Sequence, residues 1–103
     1  MVNNVLNFRE FISIAVDGTA IRLADYLPSD SRWSHAYIGV KSGSVRWLSI
    51  SDQEPTASKG NYVNPGGSID WTNPEIDYRG VIMNAKFVKA GTTSAELEVN
   101  LAW

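Results

Sequence analysis

Ala95-Glu96-Leu97-Glu98-Val99-Asn100-Leu101-Ala102-Trp103 closes the chain, and this stretch decides the fold class. Successive side chains of an extended segment point to opposite faces, so a period of two sets Ala95, Leu97, Val99, Leu101 and Trp103 on an apolar face. Glu96, Glu98 and Asn100 then fall on a polar one. The pattern predicts a half-buried strand that is clamped into a sheet up to Trp103 and does not trail as a tail.

Working back from that strand, residues 80 to 90 alternate Val81, Met83, Ala85 and Phe87 against Ile82, Asn84, Lys86 and Val88, and Gly91-Thr92-Thr93 provides a turn. A hairpin over 80–103 is predicted. Phe11 to Val16 and Thr19 to Leu23 flank Asp17-Gly18, a dipeptide suited to the positive φ angles of tight hairpin turns, and residues 10 to 23 read as another hairpin. A third joins Ala36–Val40 to Val45–Ile50 through Lys41-Ser42-Gly43-Ser44. Residues 24 to 34 form a turn-rich connection with room for one helical turn. The stretch Ser51 to Gly67 contains Pro55, Gly60, Pro65 and Gly66-Gly67, so Tyr62-Val63 reads as a short edge strand there. Ser68–Trp71 is a further short strand, stopped by Asn73-Pro74. Six to eight short strands with turn signals roughly every 8 to 12 residues predict an all-β antiparallel sandwich, with a jelly roll among its topologies, or a barrel.

A chain of 103 residues makes one domain, residues 1–103, able to bury about 65% of its extended surface. Hydrophobic residues at 44% and charged residues at 19% describe a folded chain and not a disordered one. The nine cationic residues are scattered and the net charge is −2. Nucleic-acid binding needs a concentrated basic footprint, so direct binding is not expected. Without cysteine the fold has no disulfide and no thiolate ligand or nucleophile, which suits synthesis in a reducing cytoplasm. The first residues lack the cationic and apolar regions of a signal peptide, and no run approaches the about 18 apolar residues of a membrane span. Neither export by that route nor membrane insertion is expected.

Chemistry-bearing residues are few. His35 is the sole histidine. It could act as a general base, but no nucleophile-elbow motif accompanies it. One histidine and no cysteine leave no set for structural zinc. Asp52-Gln53-Glu54 and Glu75-Ile76-Asp77 offer carboxylates of the kind calcium takes, without the spacing of an EF-hand loop; solvated turns account for them. Glu96 and Glu98 are read as the wet face of a strand. Asn64-Pro65-Gly66-Gly67-Ser68 matches no phosphate-binding loop and reads as a turn. No cofactor and no catalytic residue is expected. Trp47 and Trp103 fit strand periodicity and are predicted core residues, each worth about 3–5 kcal/mol against alanine. Trp33 and Tyr62 lie in connections, where aromatics stack sugars, fill protein interfaces or pack under loops.

Ser44-Val-Arg-Trp-Leu-Ser-Ile-Ser-Asp-Gln-Glu-Pro-Thr-Ala-Ser-Lys-Gly60, followed by Asn64-Pro-Gly-Gly-Ser-Ile-Asp-Trp71, resembles the small β-sandwich virion proteins of tailed bacteriophages. In these, a strand bearing Arg plus an aromatic leads through an acidic Pro-Thr-Ala loop and a Gly to a strand closed by a Gly turn. The resemblance covers Tyr37 to Trp71. It implies a non-enzymatic capsid decoration or cement protein, made in the bacterial host cytoplasm and carried in the virion. Its expected partner is the major capsid protein or another virion subunit, and it is expected to form a homo-oligomer. A carbohydrate- or receptor-binding module of a phage tail or fibre is the alternative. Residues 1–9 carry Val2, Val5, Leu6 and Phe8 without a turn and read as an N-terminal arm that adds to a neighbour by strand pairing. Leu6, Phe8, Trp33 and Tyr62 are therefore the candidate partner-binding residues.

Overall fold

In the computed structural model of the chain, which describes residues 6–28 and 32–103, the closing strand forms as its alternation predicts. Ala95, Leu97, Val99 and Leu101 are buried, and Glu96, Glu98 and Asn100 are half-exposed. In chain order the elements are β1 (Phe8–Val16), β2 (Ile21–Arg22), a 3-10 turn (Leu23–Tyr26), β3 (His35–Ser42), β4 (Val45–Ser49), β5 (Asn61–Val63), β6 (Ser68–Trp71), a short helix α1 (Arg79–Asn84), β7 (Ala85–Lys89) and β8 (Ala95–Ala102).

The eight strands form two antiparallel sheets, ordered β1-β8-β3-β6 and β2-β7-β4-β5. The ladders β1·β8, β2·β7, β3·β6 and β4·β5 make one long antiparallel ribbon whose tip is the link from β4 to β5. Rolling that ribbon brings β8 beside β3 and β7 beside β4, which adds two further ladders. This is the strand order of an eight-stranded jelly roll, built from two Greek keys.

All three predicted hairpins are corrected by this topology. β1 and β2, β3 and β4, and β7 and β8 lie in opposite sheets, so each short link is an arch from one sheet to the other. Gly18 and Gly91 are not at positive φ, the conformation that a tight hairpin would demand of them. The arches gather at one end of the sandwich and bond to one another: Lys89 N donates to Asp17 O at 3.0 Å and Ala90 N to Ser44 O at 2.9 Å. Ser94 Oγ also donates to the Asp17 carboxylate. Gly43, at φ +68°, fits where a Cβ would lie 2.7 Å from Ser94 O.

A second correction concerns residues 79–84, which alternate like a strand but form α1. Sheet pairing along β7 begins only at Ala85, opposite Ser49 of β4, so residues 79–84 have no strand to bond. A helical turn satisfies their backbone internally. It buries Ile82 completely, and the Asp77 carboxylate accepts the Arg79 N–H at the helix start. Of the expected arm over residues 1–9, Phe8 and Arg9 belong instead to β1. Phe8 lies opposite Ala102 within the chain's own sheet, with a bulge between Phe8 and Glu10, while residues 1–5 lie outside the described residues.

The core fills the space between the sheets. One row, Ile12–Val99–Ile38–Ile69, crosses all four strands of the first sheet, and Val45 and Phe87 face it from the second. Trp71 packs edge-on against Trp47 at 5.4 Å and 81°. Each fully buried large aliphatic or aromatic side chain contributes about 1.5–3 kcal/mol.

Candidate interaction surface

The outer faces of the two sheets are treated differently by the chain. Residues 51–60, the tip of the ribbon, fold back over the second sheet. Arg46 on β4 holds them with Nε donating to Ala57 O at 3.0 Å and Nη1 to Gly60 O at 2.9 Å. Lys86 Nζ on β7 donates to Ser51 O at 3.1 Å and Gln53 O at 3.0 Å. Under this cover Pro55 is buried, and Val88 is only 4% exposed although its register opposite Arg46 turns it away from the core.

No such cover exists on the first sheet among the described residues. Across its outer face runs a second row, Phe11–Asn100–Tyr37–Asp70, one residue from each strand. Phe11 is 54% exposed, Phe8 50% and Tyr37 40%. Leu6, Phe8, Tyr37, Thr72 and Asn100 line an open depression of about 520 Å³. Tyr37 also borders a smaller one of about 260 Å³ with Lys41, Ser68 and Glu98. Polar groups surround the aromatics: Thr72 Oγ1 donates to the Asp70 carboxylate, and Lys41 Nζ lies 3.8 Å from Glu96. Exposed apolar side chains grouped on one face and rimmed by polar ones mark interaction surfaces. The arrangement can desolvate aromatic rings against a partner and orient that partner by carboxylate, amide and hydroxyl contacts.

Leu6 and Phe8, two of the four sequence-derived candidates, belong to this surface. Tyr62 is half-exposed on β5, in the other sheet, and stacks 5.1 Å beneath the Arg46 guanidinium. Trp33 is a correction: it is 1% exposed, and its indole Nε1 donates to Pro28 O at 3.0 Å, so it stacks no ligand. The four residues do not form one site. Phe11 and Tyr37 were the missed members. Their signal is parity: each is an aromatic at the alternation phase that otherwise carries Ser13, Ala15, Asn100 or Asp70.

The remaining candidates resolve into structural roles. His35 is buried. Its Nε2 lies 2.9 Å from Asn73 O and its Nδ1 2.7 Å from Ser34 Oγ. A carbonyl only accepts, so Nε2 carries a proton, while Nδ1 shares a hydrogen bond with the Ser34 hydroxyl. Tyr78 meets the imidazole edge-on at 5.4 Å. Asp77 is held by Arg79, whose Nη2 lies 2.7 Å from Oδ2. Hydrogen bonds from the Arg79 side chain and backbone hold the Asp77 carboxyl below its ordinary value. Glu75 N donates to Asn73 Oδ1 in a turn. Among the described residues no three His, Cys, Asp or Glu side chains gather as metal ligands, and no helix is long and apolar enough to cross a membrane. Trp47 and Trp103 are both half-buried and pack against the core, and the Trp103 ring also lies 5.8 and 5.9 Å from the guanidinium groups of Arg9 and Arg32.

Comparison of the chain with protein-family models, curated proteins and solved structures gives no match.

Proposed function

We propose that the chain is a non-catalytic assembly protein of a bacteriophage virion, a decoration or cement subunit that docks on the major capsid protein through the outer face of its first sheet. One observation carries the docking part of this reading: the second sheet is covered by the chain's own residues 51–60, while the first leaves Phe8 and Tyr37 exposed around an open depression, with Phe11 exposed opposite Asn100. The virion assignment is supported by the resemblance over Tyr37 to Trp71. His35, the one imidazole available for acid-base work, is committed on both ring nitrogens to structural hydrogen bonds.

Co-sedimentation with assembled capsids lacking the subunit tests the proposal. Wild-type protein saturates the shell stoichiometrically, and Phe11→Asp combined with Tyr37→Asp abolishes binding while leaving the far-ultraviolet spectrum unchanged. Undiminished binding by the double variant would rule out this face. A glycan array separates the second reading, a sugar-binding module, which Tyr37 beside Asn100, Thr72 and Asp70 also favours. Hits lost with Tyr37→Ala, together with no capsid binding, replace the decoration reading.

A further inference from the structure

The borders of the two sheets are unequal. β2 spans two residues, β5 three and β6 four, whereas β1 spans nine. From Phe11 to Val16 it reads Phe-Ile-Ser-Ile-Ala-Val, without charge, proline or glycine. Native proteins blunt sheet borders by shortness, charge, proline or bulges. Here the bulge and the charges of Arg9 and Glu10 guard one end only, and among the described residues no strand pairs with the remaining length, which is a template for another strand.

We propose that the free border of β1 pairs antiparallel with β1 of a second copy, about a twofold axis through Ser13. Opposed residues in a sheet must face the same side, so only registers whose residue numbers sum to an even value are allowed. With Ser13 opposite itself, the half-exposed Ile12 meets Ile14 of the second copy on the core side. Phe11 meets the small Ala15 on the outer side. The same register brings Arg9 to Asp17 of the second copy at both ends, whereas moving the axis to Ile12 sets Arg9 against Ala15. Arg9 commits Nε to Trp103 O and Asp17 commits Oδ1 to Ser94, so each keeps a terminal group for the other. The contact is isologous and closes as a dimer. Both outer faces of the resulting eight-stranded sheet point the same way, which doubles the aromatic surface. The inference rests on the border of β1 and not on the virion reading, and its test involves no capsid.

The cysteine-free chain permits a clean experiment with Ser13→Cys and Ala15→Cys, both at exposed positions. In this register the two Cα atoms at position 13 fall within the about 4.4–6.8 Å span of a disulfide. Those at position 15 lie about 13 Å apart, four residues along the strand. Under mild oxidation S13C dimerises roughly a thousandfold faster than A15C, the ratio of a millimolar effective concentration to a micromolar bulk one. Wild-type protein sediments at twice its 11.4 kDa. Ser13→Lys, which opposes two like charges across the axis, sediments as a folded monomer. A monomeric wild type, equal oxidation rates for the two cysteine variants, or a persistent S13K dimer each overturns the proposal.

Discussion

Replacing Gly43 with alanine measures how tightly the arches are packed, and Gly66 provides the control. Both glycines sit at positive φ, +68° and +83°. A left-handed conformation costs an L-residue about 1–2 kcal/mol, so both substitutions incur that term. Their surroundings differ. A Cβ on Gly66 meets nothing within 4 Å, whereas one on Gly43 lies 2.7 Å from Ser94 O, 2.8 Å from Ala95 Cα and 3.0 Å from Ala95 Cβ. The two closest of these atoms are backbone, Ser94 O of the arch between β7 and β8 and Ala95 Cα at the start of β8, so relief requires moving the main chain and not a side-chain tip. Overpacking of that kind adds about 1–3 kcal/mol. Gly66→Ala is expected to cost about 1–2 kcal/mol and Gly43→Ala about 2–5 kcal/mol. Equilibrium urea unfolding, followed through the fluorescence of the Trp47–Trp71 pair, reads both. A simple hairpin between β3 and β4 would leave Gly43 at a solvent-exposed tip and make the two variants alike. Equality within about 0.5 kcal/mol, the usual limit of additivity, would refute the arch packing.

Arg46→Met removes both hydrogen bonds that anchor residues 57–60. It should cost about 1–3 kcal/mol and speed tryptic cleavage after the exposed Lys59; an unchanged cleavage rate would show that the loop is held otherwise. Trp33→Phe leaves Pro28 O without its indole donor and trims a filled space, a loss of about 2–4 kcal/mol in urea unfolding; a neutral result contradicts the burial of Trp33. The folded-state depression of Asp77 below 3.8 means that its stabilising contribution is fully present above the unfolded value and is lost as pH falls through the folded one. Carboxyl chemical shifts should show Asp77 titrating low in the wild type and returning toward its ordinary value in Arg79→Met; no difference between the two would dismiss the Arg79 contact in solution.

What residues 95–103 determine by themselves is which side chains face the core, because pleating is local and ties face to parity in any sheet. The same parity rule already singles out Phe11 and Tyr37, as aromatics on the polar phase of their strands. Strand partnership is another matter. Backbone ladders carry no residue identity, so nothing near Asp17-Gly18 distinguishes a turn back onto its own sheet from an arch to the other; β1 finds its partner β8 across almost the whole chain. Val81 and Met83 share a strand-like phase against Ile82 and Asn84, but no strand lies opposite them beyond Ser49, and they form a helix. The exposure of Phe11 and the burial of Trp33 were likewise decided in three dimensions. The first depends on where a distant segment comes to rest, since residues 51–60 lie over the second sheet and, among the described residues, no segment covers the first; the second depends on a local fold-back that brings the Pro28 carbonyl, five residues away, to the Trp33 indole.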